Sequence, residues 1–235
     1  MIWLFFAIGL VLGSFFNVVI WRIPRGESIV FPASHCPDCG HTLSAWELIP
    51  VVSYLIQKGK CIHCSRRISW QYPVVELIAA IGFAYYASRG LTWPTLVTKL
   101  VFFSLLLVAG AIDLKHRKLP NVITIPGMVI GIVLALIGWS VPISASLLGV
   151  TISGGLLMVI VLITKGMGMG DVKFVGLIGA FIGPWPALGS IFIASLMGAV
   201  SGSIYLFITK QGRKTPIPFG PFLALGALIG SEFFL

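Results

Sequence analysis

The chain has 235 residues, 57% of them hydrophobic and 10% charged, with sixteen Lys and Arg against seven Asp and Glu for a net charge of +9. A soluble domain could not hide that much apolar surface, so the class is an all-α polytopic membrane protein. The basic residues lie in short loops between apolar stretches, which excludes a nucleic-acid module; in a membrane protein the positive excess is first a topology signal.

The N-terminal stretch "MIWLFFAIGLVLGSFFNVVIWRIPR" has no basic n-region and no small-residue cleavage site. It is expected to be a retained spanning helix over 1–20. Residues 21–72 then form the one sizeable polar segment. Further spans are predicted at 73–88, 95–112, 121–139, 144–164, 172–185, 187–209 and 219–235, about eight in all. The sixth is short and runs into "GPWP" at 183–186, and the last is marginal in length.

With alternate loops sharing a side, one side holds 21–72, 113–120, 165–173 and 210–218. That side carries fourteen of the sixteen Lys and Arg, including Lys165, Lys210, Arg213 and Lys214, and leaves Arg89 and Lys99 opposite. The positive-inside rule makes the rich side cytoplasmic. This places Asp113 at the end of the third span and Asp171 at the start of the sixth, on one membrane face.

The polar segment contains "CPDC" (Cys36, Cys39) and "CIHC" (Cys61, Cys64), with 21 residues between the pairs. Two such knuckles match a tetrathiolate zinc site, each tight turn supplying two soft ligands, with Gly40 suited to the first turn. Four thiolates leave no open position, so the zinc is expected to be structural, and a reducing compartment disfavours disulfides. His35, His41 and His63 receive no role. The acids Glu27, Asp38 and Glu47 are expected to be solvated and Glu232 interfacial.

The remaining carboxylates need reasons. Asp113, in "GAIDLKHRKLPN", could be a helix-end charge paired with Lys115 or Arg117. Asp171, in "GMGDVK", could be an N-cap. Together on one face they read as a pair in which one carboxyl keeps its proton, giving a general acid and a general base. Gly166, Gly168 and Gly170 permit close backbone approach beside Asp171, where an extended substrate could lie; loop flexibility or helix packing would explain them as well. Glu76, inside the second span, is expected to support by accepting hydrogen bonds, and Ser14 and Asn17 to act as polar glue between helices.

Several of these motifs, in this order, carry a resemblance that covers nearly the whole chain. "GSFFNVVIWRIP", "FPASHCPDCGH" with "GKCIHC", "YPVVE", "DLKHRKLPN", "GMGDVK" and "PFGPFLALG" resemble the bacterial type IV prepilin peptidases, membrane aspartic proteases of the Gly-x-Gly-Asp kind. Leu48 and Gln71 stand where that family often has a polar and a basic residue. The resemblance implies that Asp113 and Asp171 are the catalytic pair. It implies prepilin or pseudopilin substrates, each with a basic leader, a glycine, usually a phenylalanine and then a hydrophobic helix. It also implies N-methylation with S-adenosylmethionine, and residence in the bacterial inner membrane with the active site toward the cytoplasm. On this reading the chain divides into a first helix (1–20), a cysteine module (21–72) and a membrane peptidase core (73–235).

Three other functions fit the residues less well. A proton- or ion-coupled transporter would place its carboxylates near mid-bilayer. A zinc metalloprotease would need H-E-x-x-H, which does not occur. A scaffold would leave the paired aspartates without a reason.

Overall fold

The computed structural model describes residues 1–164, 167–209 and 218–233. Lys165, Gly166, Lys210, Arg213 and Lys214 lie outside the described residues. The described chain is helical, with two isolated β-bridges (His35 with Thr42, Lys60 with Arg67) in the cysteine segment. It forms two compact units, Met1–Leu96 and Val97–Leu235.

In the first unit, α1 (Ile2–Arg22) packs along α3 (Gln71–Ser88). A Cβ at Gly9 would come within 2.6 Å of the Ala80 Cα, and one at Gly13 within 2.7 Å of the Glu76 Cα. Glycine at both places lets the two backbones touch, the usual device where lipid supplies no hydrophobic drive between helices. Asn17 is buried and donates to the carbonyls of Gly13 (3.3 Å) and Tyr72 (3.0 Å), so it does join the helices. The segment between them carries two short 3₁₀ turns, Ile23–Arg25 and Ala45–Leu48, and the five-residue α2 (Val52–Ile56). Buried Arg22 anchors its start by donating to the carbonyls of Ser28 (3.0 Å) and Ala33 (3.4 Å).

The second unit comprises α4 (Trp93–His116, entered from the first unit), α5 (Asn121–Leu136), α6 (Ile143–Thr164), α7 (Met169–Ile182), α8 (Pro184–Thr209) and α9 (Gly220–Phe233). On α6 the inward residues are small or polar, among them Ser146, Gly149, Ser153 and Gly154, while Leu147, Leu148, Ile152, Leu156 and Leu162 point outward. Large apolar side chains outside and small ones inside are what a lipid solvent selects. α7 is the core: every residue from Phe174 to Ile182 is buried. Gly127 and Gly131 of α5 receive Leu177 and Phe181 of α7, and the hydroxyl of Ser146 donates to the Ala180 carbonyl (2.8 Å).

Among the described residues, eight longer helices fall where spans are expected, and four are long and apolar enough to cross a membrane: Ile2–Arg25, Trp93–His116, Ile143–Thr164 and Pro184–Ile204. The count of eight spans is therefore not established. At 14 residues α7 reaches about 21 Å, short of a hydrocarbon core of about 30 Å. Its burial among neighbouring helices removes the need to match lipid. The sixth expected span, α7, ends before "GPWP": Gly183, at φ +77°, breaks the chain direction and Pro184 opens α8, where a first-turn proline loses no helical hydrogen bond. Glu232 accepts an ion pair from Lys99 at 3.4 Å within the protein.

Candidate active site and four-thiol cluster

Asp113 is buried in the last turn of α4, which closes with the Arg117 N–H donating to the Asp113 carbonyl (2.8 Å) while Arg117 takes φ +52°. The carboxylate oxygen Oδ2 of Asp113 accepts the backbone N–H of Gly220, the first residue of α9, at 2.8 Å. Asp171 is half-buried in the first turn of α7 and its Oδ2 accepts the Gly168 N–H at 3.0 Å. It is the third helical residue, with Gly168 at the cap position, so it satisfies an orphan amide without being the N-cap itself. Each carboxylate is thus held by the amino end of a helix, where backbone N–H groups and the helix dipole favour negative charge. The two lie close enough for their charges to interact.

Two further contacts tie the motifs together. A Cβ at Gly170 would press on Leu119 at 3.0 Å, so this glycine lets the α7 entry close against the turn that follows Asp113. Lys173 donates to the Asn121 side-chain oxygen at 2.8 Å, joining "GDVK" to "LPN". Gly168 has no such crowding and contributes its amide. Gly220, Asn121 and Lys173 had no expected role at this site; all three sit inside quoted motifs, but only the fold brings Gly220 to Asp113 and Lys173 to Asn121.

Glu76, in the first unit, is buried and accepts the Val51 N–H at 2.7 Å and the Ser14 hydroxyl. Its bonds fasten the cysteine segment, as well as α1, to α3. Nearby lies a cavity of about 500 Å³ bordered by Asn17, Trp21, Arg22, Glu47 and Tyr72 among others. Asn17 Oδ1 and Glu47 Oε1 are buried there without a hydrogen-bond partner.

The sulfurs of Cys36, Cys39, Cys61 and Cys64 all lie within 4.8 Å of one another, and no disulfide joins them. Cys36 and Cys64 sulfurs are 3.8 Å apart, Cys39 and Cys61 sulfurs 4.0 Å. Four sulfurs about 2.3 Å from a tetrahedral zinc would be roughly 3.8 Å apart, so the cluster could hold such an ion. The two knuckles repeat one backbone plan. Gly40 donates to the Cys36 carbonyl and Ser65 to the Cys61 carbonyl, both at 2.9 Å, with left-handed φ of +70° and +56°. The Cys39 amide directed at the Cys36 sulfur is the main influence that brings that thiol down to about 7, readier to serve as a thiolate.

Two expectations for this segment need correction. Glu47 is not merely solvated: the Ser44 amide (2.9 Å) and hydroxyl (2.8 Å) and the His41 ring (3.2 Å) converge on its Oε2. The Ser44 bonds dominate in holding its carboxyl at about 2, well below the usual range. His41 therefore has a structural place, and its ring also lies 3.6 Å from that of His63. Asp38 and Arg66, both largely exposed, approach to 3.5 Å across the knuckles.

A multi-pass helical membrane protein with two neighbouring carboxylates at helix amino ends and a four-thiol cluster defines a narrow class. The profile described as "Bacterial Peptidase A24 N-terminal domain" matches residues 7–89, and that described as "Type IV leader peptidase family" matches residues 100–203. The chain is similar to a Prepilin leader peptidase/N-methyltransferase of Bacillus subtilis, 36% identical over 97% of this chain and 93% of that protein. It is also similar to one of Pseudomonas aeruginosa, 34% identical over 94% and 87%. A third relative is a Type 4 prepilin-like proteins leader peptide-processing enzyme of Escherichia coli, 35% identical over 94% and 89%. No solved structure matches. The chain belongs to the type IV leader peptidase family.

Proposed function

We propose that this protein is a membrane aspartic endopeptidase that removes the leader of type IV prepilins or type II secretion pseudopilins, and that it methylates the amine so exposed. The observation that carries the reading is the Asp113 and Asp171 pair, each fastened by a backbone amide and close enough to interact. Two carboxyls whose charges interact can share a proton. The ionised one takes a proton from water as it attacks the scissile carbonyl between glycine and phenylalanine; the protonated one gives its proton to the departing amine. The shared proton is restored in the cycle, and the products are a leader carboxylate and a protonated pilin amine.

The dense positive charge of the loops bearing both aspartates supports a place for them at the cytoplasmic face of the bacterial inner membrane. There the scissile bond of a substrate helix standing in lipid meets water. The four cysteines hold a structural zinc that fixes the 21–72 module, while residues 73–235 form the peptidase core. S-adenosylmethionine supplies the methyl group. The cavity beside Asn17 and Glu47 suits it in size, and their unpaired acceptor oxygens suit its amino, hydroxyl and ammonium donors. Prepilins and membrane lipid are the partners, and nucleic acid has no part. The transporter alternative gains no support from the relatives, which bear peptidase names.

The deciding experiment incubates purified protein in detergent with a prepilin and reads leader loss and added methyl by mass. Asp113→Asn and Asp171→Asn should each abolish cleavage in a folded protein, because an amide cannot exchange the proton. Normal turnover by either variant removes that residue from the mechanism.

A further inference from the structure

The bond from the Gly220 amide to Asp113 crosses 107 residues of sequence and is buried. Gly220 is also pressed against that carboxylate: a Cβ there would lie 2.7 Å from Asp113 Oδ2, 2.8 Å from its Cβ and 2.9 Å from its Cγ. No other residue type fits without moving the aspartate. The rest of α9 holds this amide in place from several sides. One turn along each helix, Gly110 of α4 meets Ala224 of α9, where an added Cβ would approach to 3.3 Å. At the far end Lys99 of α4 donates to the Ser231 carbonyl at 2.8 Å. Gly226 packs on the Ser190 backbone oxygen of α8, leaving 2.5 Å for a Cβ.

We infer that Gly220 is a positioning residue for proteolysis: its N–H, at the amino end of a clamped helix, orients the Asp113 carboxylate, and its missing side chain makes the room. The inference rests on the proposed catalytic role of Asp113. The N–H is one of the first-turn amides that a helix leaves without an internal partner, so the aspartate satisfies it at no cost to α9. A charged acceptor makes this one of the stronger kinds of hydrogen bond, and an aspartate held rigidly from one side keeps one oxygen free to face water and substrate.

Two changes at Gly220 separate donor from space. Gly220→Ala adds the methyl. Replacing residue 220 by glycolic acid turns the amide into an ester, which removes the N–H and adds no atom. Each is assayed for prepilin cleavage beside Asp113→Asn and a neighbouring control, Gly198→Ala, whose added Cβ meets only ordinary contacts of 3.6 Å and more. Both Gly220 changes should lower kcat for cleavage by about ten- to a hundredfold with KM within about twofold. Methyl transfer to mature pilin, zinc content and thermal midpoint should stay near wild type, as should every property of Gly198→Ala. Undiminished kcat in the ester protein overturns the inference even where Gly220→Ala fails to fold. Equal loss of cleavage and methyl transfer, or an equal loss in Gly198→Ala, marks a packing role and also overturns it. Full cleavage by Asp113→Asn would sink the aspartate reading and this inference with it. A dead Asp113→Asn beside active Gly220 proteins would sink this inference alone.

Discussion

Gly149 of α6 lies against Gly179 of α7, backbone to backbone. A methyl at position 149 would be 2.7 Å from the Gly179 carbonyl carbon and closer still to its oxygen. Carbon atoms rest at about 3.5 Å or more, so Gly149→Ala must push α7 away by at least ~0.8 Å. Overpacking of this sort costs about 1–3 kcal/mol. Because α7 carries Asp171 on the same rigid rod, a shift approaching 1 Å at the proposed catalytic pair should lower turnover by up to about a hundredfold. Gly155, six residues along the same helix, has nothing within 4 Å of where its Cβ would be. Gly155→Ala should be neutral or should stabilise by about 0.5–1 kcal/mol, since alanine restricts the unfolded chain and favours helix. Thermal melts in detergent and steady-state prepilin cleavage measure both variants. Wild-type melting and turnover in Gly149→Ala, or equal damage from Gly155→Ala, would refute the packing argument.

Other outcomes follow from the cysteine segment and from the separation of the two activities. The wild type should carry close to one zinc per chain, and any of Cys36, Cys39, Cys61 or Cys64 changed to Ser should lower that content and impair methyl transfer at least as much as cleavage, measured by metal analysis and labelled S-adenosylmethionine; disulfides in protein whose thiols were blocked at lysis would refute the metal site. Glu47 has its carboxyl lowered from the ordinary 4.5 to about 2, so the stability it adds is complete above about pH 4.5 and disappears as pH falls through about 2. Glu47→Gln should therefore lower the melting temperature at neutral pH, with the gap from wild type narrowing across that window; a gap constant with pH would show that charge is not the reason. Asp113→Asn should still methylate mature pilin bearing a free N-terminal phenylalanine, and failure in a well-folded protein would mean the two sites overlap.

The sequence alone determined the membrane class, the helix positions and the thiol set, and it singled out both aspartates as candidates. Those properties rest on local chemistry: a long apolar run placed in lipid must pair its backbone within a helix, and paired C-x-x-C knuckles carry their geometry in their spacing. Charge counting also picked out one face for Asp113 and Asp171, because loops of one sign are readable without coordinates. The tertiary structure decided which backbone groups meet them. Gly220 follows Asp113 by 107 residues, and no periodicity links the first turn of α9 to the last turn of α4. Likewise the hydrogen bond of Lys173 to Asn121, the capture of Glu47 by Ser44 and the shortness of α7 depend on neighbours that only folding supplies. A 14-residue helix reads as a poor membrane span until its nine buried residues show that protein, rather than lipid, surrounds it.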